Sequence, residues 1–450
     1  MRVRLAAVFV LIALAVFYYA AASEHARSVN TSKARGDQSG YLWDAQQVYW
    51  NWHGRTPRVL VGERNRMPLY AGYLALFYRP DINDDEYFVV AKRWNIRLSI
   101  VLLAVLGVVF VTQLPPLPAA NLTAVVAFGY FVFKAGYAQS ELLFYFLFFL
   151  TFLTCWHLLQ ASAWRARLVL AAAGGVLAAL AQLTKAALLP FVAVYLMVYV
   201  ATSVARVGVR LRTRTLLQEA AVPVLAVAAF LAVLSPYLLN SKRTFGSYFY
   251  NVNTTFYAWY DNWAEASVGT LRHGDGVGWP DMPAAQIPSA VKYWKSHSTG
   301  QIASRVAGGF RDMLVRSYRT YAYFKYVVWY LTLLAIVILS NTAAFSRLVR
   351  RNAALVAFLV LYGVSHLLLI AFYEPISGTG TTRFLIAHLT PFFYAASRYL
   401  THPDVVATTG WRVGGVPVGV RHLHVLTGIL LAGDVTFGIW PRVMSTYGGF

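Results

Sequence analysis

The stretch LLFYFLFFLTFLTCWHLL, residues 142–159, decides the fold class of this chain. It contains no Asp, Glu, Lys or Arg, and its length lies within the roughly 17 to 25 residues that a helix needs to cross the hydrocarbon core of a bilayer. Comparable runs recur along all 450 residues, of which 58% are hydrophobic and only 13% are charged, whereas a soluble protein carries about 25% charged residues. The composition excludes a soluble globular enzyme and indicates that lipid is the main solvent.

Eleven apolar runs are candidate membrane spans, when shorter runs flanked by aromatic or small residues are accepted. The sequence therefore predicts an all-α polytopic membrane protein with about eleven transmembrane helices. The first run could also be read as a cleaved signal peptide, because residues 1–4 are basic and three alanines end it, but its length favours an uncleaved anchor. The runs are residues 5–22, 98–114, 119–133, 142–159, 168–183, 186–201, 220–239, 326–339, 353–372, 384–399 and 423–439.

The distribution of basic residues predicts the orientation of these spans. Short cytoplasmic loops collect Lys and Arg, whereas long translocated loops do not follow this rule. With a cytoplasmic N-terminus, the loops after the even-numbered spans lie inside, and four of those five loops are basic. Their basic residues are Arg165, Arg167, Arg206, Arg210, Arg212, Arg214, Arg347, Arg350, Arg351, Arg398, Arg412 and Arg421.

The net charge of +21 and the pI near 10.0 predict anionic partners. The basic residues are scattered between apolar runs and form no continuous basic face, which argues against nucleic acid. Membrane lipids, with their head groups and phosphates, fit better. Cys155 is the only cysteine and lies within an apolar run, so neither an intramolecular disulfide nor a cysteine-based metal site is expected.

Two long segments remain on the extracytoplasmic side, residues 23–97 and 240–325. Both are rich in Trp, Tyr, Asp and Arg, unlike a disordered linker, so we expect ordered caps that hold the functional site. The predicted organisation is a first span (1–22), a first outer loop (23–97), spans two to seven (98–239), a second outer loop (240–325) and spans eight to eleven (326–450).

The first outer loop carries two candidate functional features. Asp37, in RGDQSGYLWDA beside Tyr41, could act as a general base on a hydroxyl group, or it could be an ordinary solvated aspartate. Arg64 and Arg66 precede Pro68 and an amphipathic aromatic stretch that predicts an interfacial helix. The two arginines suit a phosphate, although simple anchoring at the interface is the alternative.

Further ionisable residues fall at the outer ends of spans. Glu141 opens the fourth span with Lys134 one short loop away, and Lys185 ends the fifth. Charged groups at this depth usually face a cavity or each other, although Lys185 could instead extend to the surface. Arg383 directly precedes the tenth span and could close a phosphate site from the opposite side.

The second outer loop begins with SPYLLNSKRTFGSYFYNVNTTFYAWYDNW, which contains Lys242, Arg243, Asn253 and Tyr257. Alternating aromatic and amide side chains suit the stacking and hydrogen bonding of sugar rings, although interfacial aromatic residues look similar. The sequence contains no GxxxxGKS/T, no dinucleotide-binding glycine pattern and no HExxH, which argues against nucleotide hydrolysis and zinc proteolysis.

Taken in order, these motifs resemble the C-type (GT-C) integral-membrane glycosyltransferases, which include the protein O-mannosyltransferases and the lipid A aminoarabinose transferase. The matching stretches are GDQSGYL with Asp37, RMPLY with Arg66, SELLF with Glu141, the LTK that ends in Lys185, PYLLNSKRTFGS from Pro236, and the RF that begins at Arg383. Protein O-mannosyltransferases carry an Asp-Glu pair where this chain has Asp37 followed by Gln38.

The resemblance implies an enzyme that transfers a sugar from a polyprenyl-phosphate-linked donor to a lipid, glycan or protein hydroxyl group on the extracytoplasmic face. Asp37 would be the catalytic base, and direct displacement would invert the anomeric centre. A divalent cation held by Asp37 and Glu141 stays an open alternative, and we expect a bacterial inner membrane as the location. The donor phosphate would be held by Arg66, Lys185, Lys242, Arg243 and Arg383, and the substrates would be contacted by Tyr41, Glu141, Asn253 and Tyr257.

Two other functional classes remain open at this point. A transporter or flippase of a lipid-linked anion would use the same basic residues, but it needs a polar pathway through the bilayer, and most spans are apolar on every face. The sequence also shows no pair of matching halves, which weakens an inverted-repeat transporter. A noncatalytic membrane scaffold is the second alternative.

Overall fold

The computed structural model describes residues 2–54, 66–208, 213–276, 278–377 and 381–446. Within these ranges the chain is almost entirely helical, and the only sheet is one short hairpin. A π-helical segment, Ala127–Phe131, joins α5 to α6, and a second one, Val435–Ile439, joins α21 to α22. The helices are α1 (Arg2–Ser28), α2 (Gln38–Trp52), α3 (Pro68–Ala75), α4 (Asp84–Gln113), α5 (Pro116–Val126), α6 (Val132–Ala135), α7 (Glu141–Gln160), α8 (Trp164–Thr184), α9 (Leu189–Gly208), α10 (Thr213–Phe245), α11 (Val252–Thr255), α12 (Trp263–Val268), α13 (Ala290–Ser296), α14 (Thr299–Arg319), α15 (Tyr323–Ser340), α16 (Thr342–Arg351), α17 (Ala353–Ser377), α18 (Thr381–Ala387), α19 (Leu389–Leu400), α20 (Pro403–Thr408), α21 (Val420–Asp434) and α22 (Trp440–Ser445).

Eight helical segments among the described residues are long and apolar enough to cross a membrane. The chain is therefore an all-α polytopic membrane protein, as the sequence predicts. The other three predicted spans coincide with α1, with the shorter apolar helix α9, and with α18 followed by α19. The total of eleven spans and the assignment of the two outer loops stay predictions.

The long span α4 buries one face and leaves an apolar face uncovered. On α4, Leu106 and Phe110 are buried in the core, whereas Val101 and Val108 are 58% and 62% exposed. A helix that is apolar on all sides is typical of a membrane span, since lipid covers the face that protein does not. The core between the spans is rich in aromatic rings, and Phe358 packs edge-to-face against Phe191.

The first predicted loop, residues 23–97, contains the beginning of α4, which starts at Asp84. The side chain of Asn83 caps this helix by accepting hydrogen bonds from the backbone N–H groups of Asp85 (3.0 Å) and Glu86 (2.9 Å). Three acidic residues then occupy its first turn, where they interact favourably with the helix dipole. The helix thus begins about fourteen residues before the apolar run that starts at residue 98.

The predicted interfacial helix corresponds to α3, which has Pro68 at its first position, where the missing N–H costs nothing. Tyr70 and Leu74 of α3 are buried against α2. Arg64, the other predicted arginine, lies outside the described residues.

The second predicted loop, residues 240–325, contains several helices. The span helix α10 continues to Phe245, and α11 to α14 follow it. Of these, α14 packs along α17, and its N-terminus has a capping box formed by Ser298 and Gln301.

A hairpin that the all-α prediction missed lies between α20 and α21. Its strands, β1 (Gly410–Val413) and β2 (Val416–Gly419), are antiparallel, and Trp411 pairs with Val418. Gly414 and Gly415 both have positive φ values, 56° and 82°, which the two-residue hairpin turn requires. The Gly-Gly pair between short apolar stretches was the available sequence signal.

Candidate functional site

Asp37 immediately precedes α2, in a turn that includes Gly36 with a positive φ of 66°. An amide pair holds this turn. Asn30 Nδ2 donates to Gln38 Oε1 (2.8 Å), and Gln38 Nε2 donates back to Asn30 Oδ1 (2.9 Å). Both amides are completely buried, so the residue next to Asp37 has a defined position. The Asp37 side chain itself is 43% exposed.

The same amide pair joins this turn to the connection between α6 and α7. Asn30 Nδ2 also donates to the carbonyl of Gly136 (2.8 Å), and the backbone N–H of Ala138 donates to Gln38 Oε1 (3.1 Å). The hydroxyl groups of Tyr41 and Ser140 lie 2.7 Å apart. These bonds bring Glu141, the first residue of α7, next to the turn that carries Asp37.

Arg383 of α18 bridges the two carboxylates. Its Nη1 lies 2.5 Å from Asp37 Oδ2 and 3.5 Å from Glu141 Oε1. Tyr145, one turn into α7, donates from its hydroxyl group to the backbone carbonyl of Arg383 (2.8 Å). The arginine is therefore fixed at both its backbone and its side chain, and among the described residues its Nε has no hydrogen-bond partner.

Lys185 completes the arrangement from the end of α8. Its Nζ lies 3.0 Å from Glu141 Oε1 and 5.0 Å from the centre of the Phe384 ring. The side chain is only 13% exposed, so Lys185 turns inward to Glu141 and does not extend to the surface. Glu141, at 1% exposure, thus holds both Lys185 and Arg383.

Lys134, which the sequence reasoning noted but did not assign to the site, belongs to the same group. It is 1% exposed, donates from Nζ to Gln139 Oε1 (3.1 Å), and interacts electrostatically with Glu141, Arg383, Lys185 and Asp37. We call Asp37, Lys134, Glu141, Lys185 and Arg383 the charged cluster. Its three cations and two carboxylates leave a net positive charge, which favours an anionic ligand.

Two members of the charged cluster outside the span helices have shifted pKa values. The Arg383 guanidinium lowers the pKa of the Asp37 carboxyl below its ordinary value, although burial acts in the opposite direction. Burial lowers the pKa of Lys185, and the neighbouring Glu141 carboxylate partly offsets this effect. Asp37 is therefore ionised at neutral pH but is a weak base as long as Arg383 contacts it.

Arg66 lies beside the charged cluster and is paired with another acid. Its Nε is 2.7 Å from Asp44 Oδ2, and the guanidinium lies against Gly40, where a Cβ atom would come within 2.3 Å of it. Arg66 also interacts electrostatically with Asp37 and Tyr41. The sequence did not show that Asp44, one helical turn beyond Gly40, balances this arginine.

The other predicted site residues lie apart from the charged cluster. Lys242 and Arg243 are exposed at the end of α10, and Lys242 Nζ donates to the carbonyl of Gly246 (2.6 Å). Tyr257 is buried in the second loop and donates to Asp275 Oδ1 (3.1 Å). Asn253 is closer, because its Oδ1 accepts from Tyr373 (2.7 Å), whose ring lies 6.2 Å from that of Phe384.

An apolar cavity of about 690 Å³ lies between α7, α15, α16, α17 and α19. Its walls include Phe152, Leu359 and Phe392, and it reaches Leu385 and His388, which follow Arg383 along the chain. At that end the His388 ring is 4.8 Å from the His366 ring. The cavity is large and apolar enough for part of a hydrocarbon chain.

The charged cluster fits a divalent cation poorly. Arg383 already occupies the space between Asp37 and Glu141, where a cation shared by the two carboxylates would have to lie. Within the described ranges, no group of three or more His, Cys, Asp or Glu side chains is arranged to hold a metal ion, and carboxylate-rich ligand sets are what a hard cation prefers.

The chain matches no model of a known protein family, no curated protein and no solved structure. Its function must therefore be inferred from the site itself.

Proposed function

We propose that the protein is an integral-membrane glycosyltransferase that moves a sugar from a polyprenyl-phosphate-linked donor to a hydroxyl acceptor on the extracytoplasmic face. One observation carries the proposal: Asp37, an accessible carboxylate, contacts Arg383, which Glu141 joins to a second cation, Lys185. Such a transfer needs a base for the acceptor hydroxyl and fixed positive charge at the phosphate leaving group.

Donor binding would rearrange the contacts of Arg383. The donor phosphate is a diester that carries one negative charge, as a carboxylate does, and its two free oxygens accept paired hydrogen bonds from a guanidinium, so it competes with Asp37 for Arg383. Lys185 and Arg383 contact the same oxygen of Glu141, Oε1, so Lys185 can contact the same phosphate. Once Arg383 contacts the phosphate, the main cause of the low pKa of Asp37 is removed, and the carboxylate becomes a stronger base.

In the transfer step, the acceptor oxygen attacks the anomeric carbon from the side opposite the phosphate, and its proton passes to Asp37. The bond between the anomeric carbon and the phosphate oxygen breaks, and its electron pair stays on the polyprenyl phosphate. Arg383 and Lys185 stabilise the negative charge that develops there. A single displacement of this kind inverts the anomeric configuration.

The apolar cavity supports a lipid-linked donor rather than a soluble one. A polyprenyl chain that enters it from the bilayer has its phosphate end near Leu385, two residues from Arg383. Each methylene group that leaves water contributes about 0.8 kcal/mol. The isoprenoid therefore supplies much of the affinity, and the charged cluster orients the head group.

The test is the replacement Asp37→Asn in purified protein, with transfer measured from radiolabelled polyprenyl-phosphate hexoses to a hydroxyl acceptor in detergent. Loss of a general base reduces turnover by about 10² to 10⁴-fold, so we expect near-complete loss of transfer. Donor binding should persist or strengthen, because Asp37 no longer competes with the phosphate for Arg383. The matched control is Asp81→Asn, since Asp81 is exposed and its nearest cation, Arg79, lies 4.0 Å away.

Detergent also separates an enzyme from a transporter, because no compartments remain for transport. Transfer by wild-type protein in detergent requires catalysis. Full turnover by Asp37→Asn would remove this carboxylate from the reaction, and absence of transfer by wild-type protein with every donor would contradict the proposal.

A further inference from the structure

A second cavity, distinct from the charged cluster, lies in the outer segment that follows α10. It has a volume of about 450 Å³ and lies between residue 261, the α13–α14 region and the outer end of α17. Small-molecule pockets have volumes of roughly 300 to 1,000 Å³. Most of its lining residues are polar, among them Asp261, His297, Gln301, Ser304, Arg305 and Glu374.

The polar groups of this cavity have fixed positions. Arg305 donates to the hydroxyl group of Tyr293 (2.8 Å) and to the carbonyl of Phe372 (2.9 Å), and its side chain is 7% exposed. Asp261 lies 3.2 Å from His297 and 3.7 Å from Arg305. Its side chain is 51% exposed, so its remaining acceptor positions face open space. A site of this kind is organised before a ligand binds.

The charges around the cavity indicate an uncharged ligand. Three acidic side chains and one arginine, Arg305, line the cavity. Each acid has a basic partner: Asp261 pairs with Arg305 (3.7 Å), whereas Asp312 and Glu374 pair with Arg311 (3.0 Å) and Arg316 (2.8 Å), which lie outside the lining. A phosphate would meet these carboxylates, and a free amine would meet carboxylates that already have cationic partners. Closely spaced donors and acceptors with little net charge suit a ligand whose hydroxyl groups both donate and accept hydrogen bonds.

The cavity and the charged cluster share the last turns of α17. Tyr373 contacts Phe384, the neighbour of Arg383, while Phe372 and Glu374 on either side of it contact Arg305 and Arg316 of α14. A ligand in the cavity is therefore close to the proposed transfer centre.

We infer that this cavity is a binding site for a neutral sugar unit of the acceptor, which makes the acceptor a glycan or glycolipid. The description of this sugar as part of the acceptor rests on the proposed function. The existence of a sugar-binding site does not depend on that function. Bound in this way, a sugar that does not react would position the hydroxyl group that does.

Gly308 provides a direct test. It lines the cavity, and a Cβ atom added there would meet nothing within 4 Å, so Gly308→Leu fills the cavity without a clash in the fold. Gly300→Leu is the matched control, because Gly300 is an exposed residue of the same helix whose Cβ would meet only Ser298 Oγ, at 3.9 Å. Asp261→Asn is a second variant that keeps the shape and changes the hydrogen bonding.

The measurement is saturation-transfer difference NMR of the full-length protein in nanodiscs, with the methyl glycosides of glucose, galactose and mannose as probes. Methyl glucosaminide and glucose 1-phosphate serve as cationic and anionic comparisons. We expect at least one neutral glycoside to bind wild-type protein and Gly300→Leu equally, and its affinity to fall at least about tenfold in Gly308→Leu. Asp261→Asn should weaken the same glycoside.

Unchanged binding to Gly308→Leu, or tighter binding of either charged probe than of every neutral one, would overturn the inference. No donor is present, so the result does not depend on catalysis. If Asp37→Asn abolishes transfer while Gly308→Leu leaves glycoside binding and the acceptor KM unchanged, the proposed glycosyltransferase function is supported and the sugar-binding site is contradicted. If glycosides bind as expected but no donor supports transfer, the sugar-binding site is supported and the proposed glycosyltransferase function is contradicted.

Discussion

Arg383 contacts both acidic residues of the charged cluster, at 2.5 Å from Asp37 and 3.5 Å from Glu141. In the proposed reaction, the donor phosphate would replace the carboxylate of Asp37 at Arg383. An arginine suits this exchange because its planar guanidinium presents paired N–H donors in a fixed geometry that matches two oxygens of one group, whereas a lysine is a point charge. The single residue thus links donor binding to the strength of the proposed base.

Lys185 leads to a prediction about pH. Its pKa is lowered mainly by burial, so it carries its charge at low and neutral pH and loses that charge as pH rises through a range below the ordinary lysine value. We expect donor binding to be constant near neutrality and to weaken at alkaline pH, earlier than an unperturbed lysine would allow. The dissociation constant of a polyprenyl-phosphate donor, measured as a function of pH, checks this expectation.

Lys185→Arg is the matched variant for this measurement, because arginine stays charged throughout the accessible pH range. The alkaline loss of binding should disappear or move to higher pH in this variant. An identical alkaline loss in both proteins would show that another group titrates.

At the scale of elements, the charged cluster is assembled from the ends of helices. The sequence predicted Asp37, Glu141, Lys185 and Arg383 as separate candidates, because Asp37 lies early in the first outer loop and the other three lie at the outer ends of apolar runs. It could not show that Arg383 contacts Asp37, 346 residues away in the chain, since that contact depends on how α18 packs against α7. Lys134 was missed because a lone lysine at the end of an apolar run usually extends to the interface.

The pairing of α8 with α9 and α10 supplies an element-scale prediction. Arg167 donates to both carboxylate oxygens of Glu219 (2.9 and 2.7 Å) and to the hydroxyl group of Tyr199. Arg167 is buried, although the sequence counted it only as a loop cation. Glu219→Ala leaves this charge without its carboxylate and should lower the free energy of unfolding by about 3 to 5 kcal/mol.

Thermal unfolding of the purified protein measures this effect. Glu24→Ala is the control, because Glu24 pairs with Arg27, which is 80% exposed, and exposed pairs contribute only about 0 to 1 kcal/mol. Equal stability losses in the two variants would mean that the Arg167 pair is not desolvated in the membrane.

For the whole molecule, the lengths of the apolar runs were sufficient to predict an all-α polytopic membrane protein. They were less informative where helices continue past the apolar stretch, as α4 does, because the added turns are stabilised by capping and by packing against α2 rather than by lipid. The sequence also could not predict the cavity lined by Asp261, Arg305 and Glu374. Asp261, Arg305 and Glu374 lie far apart in sequence and meet only because α14 packs along α17.

The charged cluster also bears on the number of spans. Its members must lie on one side of the membrane, so an even number of spans must separate each from the next along the chain. The eight long segments place two spans between Asp37 and Glu141 and two between Glu141 and Lys185, but three between Lys185 and Arg383. Even parity therefore requires α9 to cross as well, and its 20 residues extend about 30 Å at 1.5 Å per residue.

Cysteine labelling tests this topology, because Cys155 is the only native cysteine and is buried. With a membrane-impermeant maleimide, we expect Gly300→Cys to be labelled in intact cells. Ala205→Cys at the end of α9 and Ser346→Cys in α16, both exposed positions, should react only after permeabilisation. Labelling of Ala205→Cys in intact cells would show that α9 does not cross.

The buried amide pair has a practical consequence for producing the protein. Asn30 begins the sequence Asn-Thr-Ser, which is an acceptor sequon for N-linked glycans, yet its Nδ2 atom donates to Gln38 and Gly136 in the interior. An oligosaccharide attached to that nitrogen during synthesis in a eukaryotic secretory pathway would prevent both bonds and keep the turn from closing. Yeast or insect-cell material should therefore carry Asn30 unmodified if it is folded, and a glycopeptide at this position would mark misfolded chains.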